Sequence, residues 1–510
     1  MKIVYVPLDD RPMNLTWVKR ACTVLPTTVV TPGREEIGSR GRPGDFTRLS
    51  NWLSSICASG DIVVCSLDAL VYGGLVQGRT YHDSSERCDK SVALLKSLRQ
   101  KLGREGKIFA FFVWKRIWGN VFNEGDLARV QTLTSISNAI VEEARKRGLD
   151  LPNYLRFLSR GVQLADWMDK ATTMEFAKYR LQQRRDLLAF LDLAKGTIDL
   201  LHVAREDNDG RGIVAMELSS LLASAREMGA SFSTSEGGDE AGMLLLAHAV
   251  NTCLPKPLHN VFYEVTNKEN LRIIPYYEGA FFEETLDTMT RLANIASPES
   301  DKTRGAALNI IIDGTIEKGD PLLEIKQGRF QVPQPDYLLN LSRPCKRFIR
   351  QRIHTNVTAV NGVNYNLVEW FLQEENLPLL VVQSGTVANR IGYSLFLCSV
   401  IRYGLEKKIP EPGVWKQMAT IAIATYLEEV VYCGYLRTWA INKFGGFEPE
   451  DAGTQALAEV EMSDFLREIA RKKFNGAEFL ERKIEVLDAR IRLPWGRWFE
   501  AEVEVNLQHR

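Results

Sequence analysis

The sequence predicts an α/β protein, and three observations indicate this class. Short apolar runs rich in β-branched and aromatic residues recur along the chain. These runs do not alternate with polar residues, which is typical of strands that are covered on both faces. Stretches with helical spacing of apolar residues separate them. Strands that alternate with helices in this way predict parallel βαβ units.

The elements follow in chain order. The predicted strands are Ile3–Val6, Asp61–Leu67, Ile108–Trp114, Ile198–Ala204, Ser231–Ser235, Val261–Val265, Ala307–Ile312 and Leu379–Val382. Apolar residues at helical spacing predict helices over 84–103, 125–147, 164–196, 418–435 and 456–473. Alternation of Glu with Val near the carboxyl terminus predicts a β-hairpin formed by Ile484–Leu493 and Trp498–Leu507.

This number of buried strands predicts a (β/α)8-like barrel with insertions, followed by a C-terminal helical and β-hairpin region. Two doubly wound α/β domains are the alternative. Pro410 and Pro412 mark the expected boundary. We therefore assign residues 1–405 to a barrel-like catalytic domain and residues 406–510 to a C-terminal helical region with the terminal hairpin.

Composition excludes several classes of function. The 64 Lys and Arg residues balance the 64 Asp and Glu residues. A nucleic-acid or anionic-membrane surface usually shows as a positive excess, so we expect neither partner. The eight cysteines are scattered without a Cys-x-x-Cys pair, and the apolar run at the N-terminus is too short for a signal peptide. Both features are typical of a cytoplasmic protein.

Missing motifs narrow the chemistry further. The six histidines are spread along the chain, so no paired-histidine zinc motif occurs. The glycine-rich loops of nucleotide-binding proteins and the Gly-x-Ser-x-Gly motif of α/β-hydrolases are absent. We expect neither a cofactor nor a bound metal.

Carboxylates and other polar residues collect where predicted strands end. The residues at the ends of the first five strands are Asp9, Asp10 and Arg11, then Asp68 and Tyr72, then Arg116 and Trp118, then Glu206 and Asp207, and finally Asp239 and Glu240. Either architecture places its working residues at these carboxyl ends. Asp and Gly are also frequent in turns, and Asp caps helices, so each cluster alone also fits turn chemistry.

The adjacent pair Glu206-Asp207 predicts a glycoside hydrolase. In substrate-assisted retaining cleavage, one acid protonates the leaving oxygen while a neighbour orients the acetamido group of an N-acetylhexosaminide. We assign Asp207 as general acid/base and Glu206 as the orienting residue. The residues expected to contact a small carbohydrate are Asp9, Asp10, Arg11, Asp68, Tyr72, Arg116, Trp118, Asp239, Glu240 and Asn389.

At these same clusters the chain resembles a bacterial family known as domain of unknown function 4127. The matching blocks are Pro7–Asn14, Ser66–Leu75, Gly237–Gly242 and Leu493–Glu500. Arg205 and Glu206 depart from the Gln-Asp-Asp block of the family. The loop at Asn389 is shorter and lacks the family's Trp, so the resemblance implies a different binding contact there. The family name carries no reaction, and the resemblance therefore supports the site residues more than the function.

Two other functions stay open. A divalent-metal-dependent hydrolase or phosphoryl-transfer enzyme would use oxygen ligands for Mg²⁺ or Mn²⁺. Its candidate ligands are Asp9, Asp10, Asp68, Asp207 and Asp239. A non-catalytic sugar-binding protein would use the same residues without turnover. Homo-oligomerisation is compatible with each of these functions.

Overall fold

A computed structural model of the protein describes residues 1–117, 124–162, 169–206, 212–225, 231–255, 260–295, 307–317, 332, 334–358, 361, 365–446 and 448–509. Internal contacts divide the chain into two compact units. The first unit comprises Met1–Asp10, Val29–Leu245 and Tyr277–Ala280. The second comprises Arg11–Thr28, Leu246–Tyr276 and Phe281–Arg510.

The described strands are β1 (Ile3–Val6), β2 (Val29–Val30), β3 (Ile62–Ser66), β4 (Lys107–Trp114), β5 (Leu200–Arg205), β6 (Phe232–Glu236), β7 (Asn260–Val265), β8 (Ala307–Asp313), β9 (Arg347–Asn356), β10 (Asn376–Val382), β11 (Glu478–Phe479), β12 (Arg482–Arg492) and β13 (Glu502–His509). The described α-helices are α1 (Thr16–Cys22), α2 (Phe46–Ile56), α3 (Leu67–Val71), α4 (Ser85–Leu102), α5 (Glu124–Arg147), α6 (Leu151–Ser159), α7 (Lys170–Leu193), α8 (Ile213–Ala225), α9 (Ala241–Cys253), α10 (Phe282–Leu292), α11 (Pro335–Leu341), α12 (Tyr365–Gln373), α13 (Val387–Gly404), α14 (Pro412–Tyr426), α15 (Arg437–Phe444) and α16 (Ala452–Phe474). None of these helices has both the length and the apolar character that crossing a lipid bilayer requires.

The first unit is built on a parallel sheet in the order β2-β1-β3-β4-β5-β6. Val4 and Val6 belong to the apolar core on one face of the sheet. The intervening Tyr5 is also buried, so both faces are covered. Helix α9 approaches the second face closely, because a methyl group at Gly242 would lie only 2.6 Å from the Tyr5 hydroxyl. The strand order reverses between β1 and β3, which is where ligands commonly bind in such sheets.

The second unit contains a mixed sheet. Strands β7, β8, β9 and β10 pair in parallel, and the short β11 adds in parallel to β9. Strands β12 and β13 form the antiparallel hairpin that the alternating sequence predicts. Helix α16 packs on β12. The burial pattern of β12 alternates, as expected when one face of a hairpin is covered and the other meets solvent.

All eight strands predicted from apolar runs are confirmed, with shifts of a few residues at their ends. The prediction missed β2, β9 and β11. Strands β2 and β11 have only two residues each, too few for a pattern. Strand β9 reads Arg-Phe-Ile-Arg-Gln-Arg-Ile-His-Thr-Asn, and its polar residues hide it from a search for continuous apolar runs.

The α/β class with parallel sheets is confirmed, whereas the barrel is not. The described strands fall into two sheets, an arrangement closer to the alternative of two doubly wound domains. The boundary predicted between residues 405 and 406 lies inside the second unit. The physical reason is that α14, which follows it, packs on both β10 and β13.

A π-helix continues α14 over Leu427–Leu436 in the second unit. It carries two adjacent buried carboxylates. Glu428 pairs with Arg20 and also accepts a hydrogen bond from the Val503 backbone N–H at 3.2 Å. Glu429 accepts hydrogen bonds from the backbone N–H groups of Gln383 and Ser384 at 2.8 and 2.6 Å. Such widened helical turns are rare and frequently occur at functional sites.

We expect Arg20→Ala to destabilise the protein by about 3–5 kcal/mol, because it leaves a buried carboxylate without its cation. Burial already raises the pKa of Glu428 to about 7, against the opposing effect of Arg20. Urea unfolding of wild type and variant at pH 8 measures the loss. The control is Lys407→Ala, which breaks an exposed ion pair with Glu411. Equal unfolding midpoints for the two variants would show that the Arg20–Glu428 pair does not stabilise the fold.

Candidate active site at the carboxyl edge of the first sheet

The structure places most of the predicted site residues at one edge of the first sheet. Because its strands are parallel, their carboxyl ends lie along the same edge. The predicted residues found there are Asp9 and Asp10 after β1, Asp68 and Tyr72 after β3, Arg116 after β4, Glu206 after β5, and Asp239 and Glu240 after β6. Trp118 and Asp207 lie outside the described residues. Arg11 and Asn389 belong to the second unit.

Glu206 is the best-defined carboxylate of this edge. It is buried and forms an ion pair with Arg79. Its Oε2 also accepts a hydrogen bond from the backbone N–H of Arg116 at 3.3 Å. Burial alone would raise the pKa of Glu206, but Arg79 and Arg116 outweigh it and lower that pKa to about 2. Glu206 is therefore ionised at neutral pH, with both carboxylate oxygens engaged.

Arg79 is a site residue that no pattern in the sequence predicts. It lies in a short 3-10 helix, Gln77–Arg79, that follows the diglycine Gly73-Gly74. No strand ends there, so the rule about carboxyl ends gives no reason to select it. A buried Glu needs a nearby cation, but this requirement does not indicate where in the chain that cation lies.

Asp68 and Lys115 form an ion pair that is shielded from solvent. Asp68 also accepts a hydrogen bond from the Val113 backbone N–H at 2.8 Å. The Lys115 ammonium lies 4.1 Å from the centre of the Tyr72 ring, within the range of a cation–π contact. Burial raises the pKa of Asp68 and lowers that of Lys115, and each partner opposes the shift of the other. Asp68 is thus buried below the surface of the edge, and its contacts with Lys115 and the Val113 N–H support the ends of β3 and β4.

The backbone at the end of β4 is held from several sides. Gln183 accepts a hydrogen bond from the Lys115 N–H at 3.1 Å, and Arg180 donates to the Lys115 carbonyl at 2.7 Å. Tyr179 donates to the Arg116 carbonyl at 3.1 Å. These three partners all come from α7, which therefore fixes the segment that presents Arg116 to Glu206.

Tyr72 is also buried, and its hydroxyl donates to Asp186 at 2.8 Å. Ser84 donates to the same Asp186 oxygen at 2.6 Å, and Arg185 contacts the other oxygen at 2.8 Å. Burial, followed by the nearby charge of Asp186, raises the pKa of Tyr72 well above its usual value. The Tyr72 hydroxyl is therefore part of an internal network.

The diglycine after Tyr72 is approached by another loop of the chain. A methyl group at Gly38 would lie 1.9 Å from the Gly73 carbonyl oxygen, and the Gly44 N–H donates to that oxygen at 2.8 Å. Gly73 itself has a φ of 81°, a conformation that favours glycine. Backbone packing within the first unit thus accounts for these glycines.

The remaining carboxylates of the edge also lie near cations or within turns. Arg34 lies 3.7 Å from Asp10, and Arg205 pairs with Glu236 at 2.8 Å. Glu240 is buried and folds back over Gly237, where a methyl group would lie 1.7 Å from its Oε1. Asp239 is half-buried. The edge therefore carries carboxylates and arginines that lie close to one another.

The two predicted residues in the second unit have local contacts there. Asn389 and Thr386 form a reciprocal cap at the start of α13, with hydrogen bonds of 3.1 and 3.2 Å. Arg11 and Arg497 both lie against the Trp495 ring, at 5.3 and 4.9 Å from its centre. These contacts explain both residues structurally.

In the part of the chain that the structure describes, no three His, Cys, Asp or Glu side chains converge as a metal-binding group. Of the five candidate metal ligands, Asp68 is engaged with Lys115 and Asp207 is outside the described residues.

The model for the family "Protein of unknown function (DUF4127)" matches residues 3–504. The chain belongs to the DUF4127 family. The match covers nearly the whole sequence, and it confirms the resemblance drawn from the separate motifs. Searches of curated proteins and of solved structures gave no match.

We expect Glu206→Gln to reduce stability by roughly 3 kcal/mol at pH 7, because the pKa falls from 4.5 in the unfolded chain to about 2 in the folded protein. The unfolded state binds more protons between these values, so this contribution is present above pH 4.5 and is lost as the pH falls toward 2. Urea unfolding between pH 3 and pH 7 measures it. If the difference in free energy of unfolding between wild type and variant did not shrink at low pH, the lowered pKa of Glu206 would be contradicted. The exposed Glu478→Gln is the control.

We expect Gly78→Ala to destabilise the first unit by about 1–3 kcal/mol through overpacking. The added methyl group would lie 2.3 Å from Lys115 Cε and 2.9 Å from Tyr72 Cδ2. Gly41→Ala is the matched control, since nothing lies within 4 Å of its added methyl group. Thermal unfolding of both variants compares them, and a Gly78 variant as stable as the Gly41 variant would show that the Lys115 site is loosely packed.

Proposed function

We propose that this protein is a glycoside hydrolase that cleaves a small neutral carbohydrate at the carboxyl edge of its first sheet. The observation that supports this most is the fixed, ionised carboxylate of Glu206 at the end of β5. Glycosidic cleavage develops positive charge on the sugar, and a preorganised anion stabilises such charge.

The contacts of Glu206 define its part in the reaction. A group whose pKa is about 2 holds no proton at neutral pH, so it cannot be the general acid. Arg79 and the Arg116 N–H fix the direction of its carboxylate. Glu206 would therefore orient the acetamido group of an N-acetylhexosaminide and stabilise the positive charge that forms when this group attacks the anomeric carbon.

The proton then has to come from another group. Asp207 follows Glu206 directly, and adjacent residues leaving a strand point in different directions. We propose that Asp207 protonates the leaving oxygen and later removes a proton from the attacking water. The position of Asp207 directly after Glu206 in the sequence supports this role.

The edge residues divide into binding and supporting groups in this proposal. Asp9, Asp10, Arg116, Asp239 and Glu240 would bind sugar hydroxyls. Asp68 and Tyr72, which sequence analysis had placed with them, would instead support the edge, because their polar atoms contact Lys115 and Asp186.

The cysteines support a proposal for the cellular location of the enzyme. All eight are free thiols, and seven are buried. Free thiols are stable in a reducing compartment, so we propose that the enzyme works in the cytoplasm.

Asp207→Asn should lower turnover of an alkyl N-acetylhexosaminide by at least about 100-fold, because its poor alkoxide leaving group needs a proton from the general acid. Glu206→Gln should also reduce kcat. Asp199→Asn is the control, because Asp199 lies at the opposite end of β5 and pairs with Arg99. Release of the N-acetylhexosamine measures the rate.

Two results would contradict the proposal. Full activity of Asp207→Asn would remove Asp207 from the reaction. Activity that disappears in EDTA and returns with Mg²⁺ would favour the metal-dependent hydrolase instead.

A further inference from the structure

The second unit has a cavity at the amino ends of β9 and β10. Its volume is about 290 Å³, close to the lower limit of small-molecule sites. The lining residues are Arg343, Trp370, Gln373, Glu374, Glu375 and Asn376. They come from the segment before β9, from the end of α12 and from the turn that leads into β10.

Trp370 is the one aromatic residue among those that line this cavity. Its side chain is 44% exposed, unusual for the largest aromatic residue. The neighbouring helix α11 carries a second exposed aromatic residue, Tyr337, whose hydroxyl donates to Glu369 at 3.0 Å. An exposed indole face matches the apolar C–H face of a sugar ring in shape and size.

The rest of the lining is polar, and its two carboxylates are balanced by Arg343 and by Lys346, which lies beside the lining. Glu375 pairs with Lys346, which together with Arg343 lowers the pKa of the Glu375 carboxyl. Glu374 accepts a hydrogen bond from the Asn376 N–H at 2.9 Å. Carboxylate, amide and guanidinium groups each offer two neighbouring polar atoms, which suit adjacent hydroxyl groups. Balanced charge favours a neutral ligand over an ionic one.

A buried lysine holds the turn of this cavity in place. Lys473 is fully buried, and its ammonium donates to the carbonyls of Leu372 and Glu374 at 2.8 and 2.7 Å. The Lys346 N–H donates to the Glu375 carbonyl at 2.7 Å. The turn is therefore fixed before any ligand arrives, which reduces the entropic cost of binding.

From these contacts we infer that the cavity is a binding site for a small neutral saccharide, with its ring stacked on Trp370. The site belongs to the second unit, and the inference does not depend on the proposed hydrolysis. Loss of saccharide binding here and loss of turnover at Asp207 are separate measurements.

The test uses the full chain labelled with 5-fluorotryptophan, and Trp370→Phe assigns the Trp370 resonance. Lactose, maltose and N,N′-diacetylchitobiose are titrated while the 19F spectrum is recorded. At least one of them should move the Trp370 resonance in a saturable way, with a Kd in the millimolar range. Trp370→Ala should weaken the binding measured by calorimetry by at least about tenfold.

Three controls make the result decisive. Phe157→Ala removes an exposed aromatic residue in the first unit and should leave binding unchanged. Gln373→Ala changes the polar wall without touching the ring, so it tests the site even if Trp370→Ala folds poorly. Turnover of the alkyl N-acetylhexosaminide should be the same in wild type and Trp370→Ala. A Trp370 resonance that no sugar moves, or that moves together with every other Trp resonance, would overturn the inference.

Discussion

The buried ion pair between Lys115 and Asp68 is the contact on which the edge of the first sheet depends. Neither side chain meets solvent, so each charge needs the other to offset its desolvation. Strand β4 lies between β3 and β5, and its last residues connect this pair to the rest of the edge. The Arg116 N–H that contacts Glu206 follows directly after Lys115. A change in the pair would therefore move the contact that fixes Glu206.

Cations accompany the carboxylates along this edge. Arg79 pairs with Glu206, Arg205 with Glu236, and Arg34 lies near Asp10. These arginines offset a part of the negative charge of the edge. An edge that carries many hydrogen-bonding groups and no excess of positive charge suits a neutral, polyhydroxylated ligand better than a polyanion.

Local patterns predicted much of the fold and a part of the site. Continuous apolar runs identified most of the eight strands because burial on both faces is a local requirement, although the strand at Ser231–Ser235 is largely polar. Strand β9 escaped because its side chains are largely polar, and the two-sheet arrangement depends on pairing that no single segment encodes. The edge carboxylates were predictable from strand ends, whereas Arg79 was not, since its contact with Glu206 joins residues distant in sequence.

Both units use buried carboxylates to satisfy backbone N–H groups near the ends of their strands. Asp68 accepts from Val113 in the first unit, and Glu429 accepts from Gln383 and Ser384 in the second. An unpaired buried N–H costs about as much as a lost hydrogen bond, so these carboxylates serve the fold itself. Counting the acidic residues at strand ends therefore gives more catalytic candidates than there are catalytic groups. A carboxylate becomes a stronger candidate for chemistry when its contacts fix its charge and direction, as those of Glu206 do.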